Sequence, residues 1–79
     1  MTVRLSDGVI VLEGDCPVDE AEALLDLLLA NPNAPVDWTA CRQLHSSLVQ
    51  VLLAARPAMR GVPESSFLQR WIVPIVQGS

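Results

Sequence analysis

Length, composition and charge describe a small single domain and exclude one class of partner. The 79 residues suffice for one domain, 1–79, with a small core, because short chains bury only about 60% of their unfolded surface. A net charge of −4, with five arginines and no lysine, would repel a phosphate backbone, so we expect no nucleic-acid binding. The hydrophobic fraction of 51% indicates either a dense core or apolar surface that a partner covers.

Membrane insertion and export are also not expected. The apolar runs 21–30 and 48–55 fall short of the roughly 20 residues that a membrane span needs. The N-terminus has no basic segment followed by an apolar one, as a secretory signal would. Cys16 and Cys41 form no C-x-x-C motif, and we expect two free thiols in a reducing cytoplasm.

The first third of the chain predicts a hairpin. Residues 2–5 alternate as a strand, Asp7-Gly8 is a strong turn signal, and residues 9–12 form a continuous apolar run. Such continuous apolarity indicates a strand that is buried on both faces.

A helix is predicted over residues 19–30. Asp19 and Glu22 have the spacing of a capping box, and the helix should end just before Pro32. The next segment predicts a strand over 36–39 and a loop over 40–44.

The C-terminal half predicts two more helices and a short strand. The second helix begins at His45-Ser46-Ser47, with a serine as its cap, and ends at Pro57. A short strand over 59–62 precedes a last helix over 67–76, which Pro74 shortens or kinks. The apolar stripe expected on this last helix consists of Phe67, Leu68, Trp71, Ile72 and Ile75.

The resulting order, β-β-α-β-α-β-α, predicts an α/β fold. Strands that alternate with helices form a mostly parallel sheet through right-handed crossovers, and the N-terminal hairpin adds an antiparallel edge strand. We expect a four-stranded mixed sheet with about three helices, packed mainly on one face.

Three stretches resemble the STAS family, the fold of anti-sigma-factor antagonists, and the resemblance covers nearly the whole chain. They are Leu12-Glu13-Gly14-Asp15, the helix 19–30, and V-D-W-T at 36–39 followed by L-H-S-S-L-V-Q-V-L-L at 44–53. The chain is similar in length to small bacterial STAS-like proteins of the MlaB type.

The resemblance implies a non-catalytic bacterial regulatory domain that binds a protein partner, such as an anti-sigma factor or a signalling kinase. Ser47 falls where antagonists carry a phosphorylated serine, and Ser46 is adjacent to it. His45 replaces the family's acid, and Leu48 replaces its glycine. The surface expected to contact the partner comprises Thr39, His45, Ser46, Ser47 and Gln50.

Three alternatives stay open. The MlaB-type resemblance implies a cytoplasmic subunit that docks on the ATPase of a lipid transporter. A homodimer through the last helix would use Phe67 and Trp71. Cys16, Cys41 and His45 follow two strands of one sheet and would give a small thiol or metal protein if they converge.

Nothing in the chain predicts an enzyme, a cofactor or a metal-ligand motif. No G-x-S-x-G motif surrounds Ser46 or Ser47, and His45 is adjacent in sequence rather than supplied by another element. The acids around the first helix are typical of a solvated helix face. We therefore expect no catalytic residue.

Overall fold

Two short strands joined by Asp7-Gly8 begin the fold in the computed structural model, which describes residues 2–77. Asp7 has φ 50° and Gly8 has φ 78°, as a two-residue type I′ turn requires at both central positions. The turn joins β1 (Val3–Ser6) to β2 (Val9–Cys16) in an antiparallel pair, and the predicted hairpin is confirmed.

The remaining elements complete the predicted α/β order. Strands β3 (Val36–Leu44) and β4 (Met59–Arg60) extend the sheet in parallel, in the order β1-β2-β3-β4. The helices are α1 (Ala21–Ala30) after a 3₁₀ turn (Val18–Glu20), α2 (Ser46–Ala55), and α3 (Val73–Val76) after a π-helical turn (Leu68–Ile72). Among residues 2–77, none of these helices has the length and apolarity needed to cross a membrane.

Only one face of the sheet is fully buried. Ile10 and Leu12 are inaccessible to solvent, whereas Val9 and Val11 between them stay partly exposed. The predicted burial of this strand on both faces is wrong, because the helices leave the other face open. The buried core comes from three strands, the three α-helices and the π-helical turn: Val3, Ile10, Leu12, Cys16, Leu24, Leu28, Val36, Trp38, Cys41, Leu48, Leu52, Leu68 and Val76.

Strand β3 continues through residues 40–44, which the sequence predicted as a loop. Its register against β2 shifts twice, between Val11 and Glu13 and between Gly14 and Asp15. Each shift places one extra residue on β3, as in a β-bulge. The bulges break the alternation of buried and exposed side chains, and this is why the strand pattern was hidden in the sequence.

Glu20 ties the start of α1 to β1. Its Oε1 accepts hydrogen bonds from the N–H of Thr2 (2.9 Å), the Thr2 hydroxyl (3.0 Å) and the N–H of Val3 (3.3 Å). These bonds, the Thr2 hydroxyl first, lower the pKa of the Glu20 carboxyl. The predicted capping box is wrong, since no side chain caps the 3₁₀ turn or α1.

The last helix turns about a π-helical segment. The N–H of Val73 donates to the carbonyl of Leu68, five residues earlier, directly before Pro74, which has no N–H to donate. This wider turn changes which side chains face the core. Leu68 and Val76 are buried, whereas three residues of the predicted stripe lie in solvent: Phe67, Trp71 and Ile75.

Trp38, on β3, is fully buried, and its indole has one partner outside the strands. Nε1 donates to the carbonyl of Gly61, just after β4, at 3.0 Å. Gly61 has φ 73°, and a Cβ placed there would overlap the hydroxyl of Thr39. The left-handed backbone therefore favours glycine at residue 61, and a larger residue would also displace the Thr39 hydroxyl.

The Asp37 carboxylate bonds the backbone of its own strand. Its Oδ1 accepts the N–H of Thr39 at 2.9 Å. That bond, the Thr39 hydroxyl and the positive charge of Arg60 lower the pKa of the Asp37 carboxyl.

We predict that Gly61→Ala lowers the free energy of unfolding by about 2–4 kcal/mol, because it combines left-handed backbone strain with a steric clash. Gly8→Ala is the matched control. It has a similar φ of 78° with no atom within 4 Å, so backbone strain alone should cost about 1–2 kcal/mol. Urea denaturation measures both losses.

Removing the clashing hydroxyl should reduce the Gly61 effect. In a Thr39→Ala background, Gly61→Ala should cost about as much as Gly8→Ala, since only the strain remains. Equal losses for the two glycine variants in the natural background would contradict the packing described for Gly61.

We predict that stability falls with acid through Glu20 and Asp37. Both pKa values are lowered on folding, so the stabilisation is present above the unfolded pKa values, about 4.3 for Glu and 3.9 for Asp, and is lost as pH falls through the lower folded values. Denaturation curves at pH 6 to about pH 2.5 measure this loss. The double variant Glu20→Gln/Asp37→Asn should have a flatter profile, and an unchanged slope would contradict the assignment.

Candidate functional site

The carboxyl ends of β2 and β3 lie side by side and form one edge of the sheet. Cys16, the last residue of β2, pairs with Leu44, the last residue of β3. In open α/β sheets this edge is where ligands commonly bind. The candidate site is built around the residues that follow these two strand ends.

His45 connects the edge to α2. Its backbone is extended (φ −60°, ψ 146°), and its N–H donates to the carbonyl of Cys16 at 3.0 Å. Its Nδ1 accepts the N–H of Ser47 at 3.1 Å and lies 2.8 Å from the Ser47 hydroxyl. His45 is thus a junction residue whose side chain bonds the backbone of α2.

The N-cap of α2 is therefore His45. The sequence predicted a serine in this role, and that prediction is wrong. An imidazole can take this role because Nδ1 lies close enough to the backbone to accept the N–H of the second helical residue, as an Asp or Asn oxygen does. Accepting that N–H leaves Nδ1 without a proton, so the proton of the neutral ring is on Nε2.

The structure brings together four of the five predicted contact residues. Ser46 and Gln50 are exposed on the first turns of α2, beside His45 and the partly buried Ser47. Thr39 lies apart from them. It is five residues before the end of β3, roughly 15 Å along the strand, and its side chain is beside Gly61.

Two shallow depressions line this edge. One, of about 280 Å³, is lined by Arg42, Gln43, Leu44, Ser65, Phe67 and Leu68. The other, of about 230 Å³, is lined by Asp15, Cys16, Pro17, Gln43, Leu44 and His45. Gln43 and Leu44 line both depressions, which are therefore neighbours. We call the two depressions, together with Ser46, Ser47 and Gln50, the carboxyl-edge surface.

The sequence did not indicate the middle of this surface. Gln43 and Leu44 were expected in a loop, and Phe67 was expected in an apolar stripe. Phe67 is instead 62% exposed, at the rim of the larger depression. Taken singly, each depression is smaller than the roughly 300–1,000 Å³ of a usual small-molecule pocket.

The charges on this surface are mixed and solvated. Arg42 Nε lies 3.9 Å from Asp15 Oδ1, and both side chains are largely exposed. An exposed ion pair at this distance contributes little to stability. Both groups therefore stay available to contact charges on a partner.

The two cysteines are buried beneath the edge as free thiols. Their sulfur atoms are 4.0 Å apart, and the hydrogen bond with Cys16, together with burial, raises the pKa of Cys41. Cys16 and His45 line the same depression. Even so, no group of three or more metal-ligating side chains occurs within residues 2–77.

Comparison with known proteins adds no relative. The chain matches no protein-family model, no curated protein and no solved structure.

We predict that His45→Ala lowers the free energy of unfolding by about 0.5–1 kcal/mol, because it removes the cap of α2, whereas His45→Asn keeps an acceptor and restores most of the loss. Thermal and urea denaturation measure both. Gln50→Ala, on the exposed face of the same helix, is the control and should be nearly neutral. A loss from His45→Ala no larger than that from Gln50→Ala would contradict the cap.

Proposed function

We propose that this chain is a non-catalytic protein–protein interaction domain of the STAS type, acting in bacterial regulation, and that its partner docks on the carboxyl-edge surface. One observation carries the proposal: two neighbouring shallow depressions share Gln43 and Leu44, and one of them is lined by His45 at the exposed start of α2. The resemblance of residues 36–39 and 44–53 to the STAS pattern supports the same location.

The make-up of this surface fits a protein partner. Its polar part consists of His45, Ser46 and Gln50, and its apolar flank is Phe67, an exposed aromatic ring. Protein interfaces commonly pair an apolar, aromatic-rich centre with a polar rim. Aromatic residues that insert into a partner often supply much of the binding energy.

The exposed stripe beyond Phe67 would extend this flank. Trp71 is more than half exposed, and the guanidinium of Arg70 lies 5.5 Å from the centre of its ring. Ile75 is exposed one further turn along. We also propose that this stripe can mediate self-association, since a homodimer would cover Phe67, Trp71 and Ile75.

Regulation by phosphorylation would act on Ser47 or Ser46. A phosphate adds about −1.5 to −2 charge, which the N-terminus of α2 stabilises locally. On Ser47 it would also replace the hydroxyl contact with His45, whereas Ser46 is free in solvent. In either place it adds negative charge next to His45, which lines one depression with Asp15, on a chain whose net charge is already −4. We propose that this charge repels an acidic partner.

The test is an affinity capture with the intact chain as bait, followed by titration of the recovered partner. We expect Ser47→Asp and Phe67→Ala each to weaken binding by about 10-fold or more, through repulsion and the loss of an aromatic anchor. Ser6→Asp is the matched control, because Ser6 lies at the hairpin end of β1, on the opposite edge of the sheet.

The identity of the partner distinguishes a role in signalling from a role in a transport complex. An anti-sigma factor or a kinase would support signalling, and the ATPase subunit of a transporter would support the transport role. A partner whose affinity is unchanged by Ser46→Asp, Ser47→Asp and Phe67→Ala would overturn the proposed surface.

A further inference from the structure

The buried thiols of Cys16 and Cys41 form a pair that the proposed docking function does not use. Cys16 ends β2 and Cys41 lies on β3, with their sulfur atoms 4.0 Å apart and their exposure 2% and 0%. Gly14, the register partner of Cys41, contributes no side chain between them. A bulge separates Cys41 from Leu44, the partner of Cys16, so that both thiols face the core.

We propose that Cys16 and Cys41 are an oxidisable dithiol that closes an intramolecular disulfide. The sulfur atoms must approach from 4.0 Å to about 2.05 Å, which needs rotation of the two side chains and a small shift of the strand ends. Cys16 and Cys41 lie on adjacent strands, and the β2–β3 ladder already keeps the two residues close together.

A low-molecular-weight disulfide, such as oxidised glutathione, is the oxidant. The Cys16 thiolate attacks one of its sulfur atoms and releases the first glutathione thiolate, which leaves a mixed disulfide on Cys16. The Cys41 thiolate then attacks the Cys16 sulfur and releases the second. The protein loses two protons and two electrons, and one glutathione disulfide becomes two thiols.

Cys16 is the better first nucleophile. It lines the smaller depression beside His45, so local opening of that edge exposes it first. The hydrogen bond with Cys41 lowers the pKa of the Cys16 thiol, which raises the fraction of reactive thiolate. Cys41 is placed to resolve the mixed disulfide.

Formation of the disulfide would change the structure of the carboxyl-edge surface. The carbonyl of Cys16 accepts the N–H of His45 at 3.0 Å, and His45 caps the helix that carries Ser46 and Ser47. A shift of Cys16 toward Cys41 therefore moves the start of α2. This link makes the thiol pair a redox-sensitive support of the edge, whether or not the docking proposal holds.

The folded wild-type protein is incubated with oxidised glutathione and measured by intact mass. We expect the mass of a single chain that has lost two hydrogen atoms, with no disulfide-linked pair of chains in the absence of reductant. A protease that cleaves after glutamate separates residues 14–20 from 23–64, and these peptides should stay linked until reduced. Trypsin is unsuitable, because no arginine lies between the two cysteines.

Closing this loop should raise the thermal midpoint by roughly 10 °C, reversibly with dithiothreitol. Cys41→Ser and Cys16→Ser are the variants. Cys41→Ser should stop at the mixed disulfide and carry one glutathione on Cys16, whereas Cys16→Ser should react several-fold more slowly. A second measurement needs no variant. The oxidised or reduced wild-type protein is unfolded and alkylated, and we expect no free thiol after oxidation and two after reduction.

Three outcomes would overturn the proposal. They are two free thiols after prolonged exposure just below the thermal midpoint, two glutathiones on the wild-type chain, and a disulfide found only between separate chains.

Discussion

The buried indole of Trp38 is the constraint on which this side of the fold depends. A ring in the core needs an acceptor for its N–H, because an unpaired buried donor costs about 1–3 kcal/mol. The carbonyl of Gly61 supplies that acceptor at 3.0 Å. The bond holds the chain after β4 against β3, where the ladder itself has only the pairs of Val36 with Met59 and Asp37 with Arg60. At this close approach a side chain at residue 61 would overlap the hydroxyl of Thr39.

Much of this fold follows from local signals in the sequence. The Asp7-Gly8 turn, the end of α1 before Pro32 and the alternation of strands and helices each depend on a few neighbouring residues, and the structure has all three. What could not be predicted depends on partners far along the chain. The bulges of β3 exist only relative to β2, and the Glu20 carboxylate binds Thr2, eighteen residues earlier.

In the candidate site, too, the residues that are neighbours in sequence were predicted, and the features that depend on more distant structure were not. The cluster at the start of α2 is contiguous in sequence, so His45, Ser46, Ser47 and Gln50 were found together. Its cap was misassigned, since a histidine is an uncommon N-cap and two serines follow it. On the last helix, the sequence placed Phe67 and Trp71 in one apolar stripe with Leu68, and named the two aromatic residues as a dimer contact. The structure divides this stripe, since Leu68 is buried whereas Phe67, Trp71 and Ile75 are exposed.

The shortness of β4 has a consequence for how copies of this chain behave when crowded together. Beyond Asp37, β3 has a ladder partner on one side only, and an open strand edge is a template for pairing with another chain. The two bulges make this edge irregular, and Arg42 adds a charge to it. Both features oppose the growth of a continuous intermolecular sheet. The bulges of β3 therefore make its open edge a poorer template for a second chain than a regular strand would be.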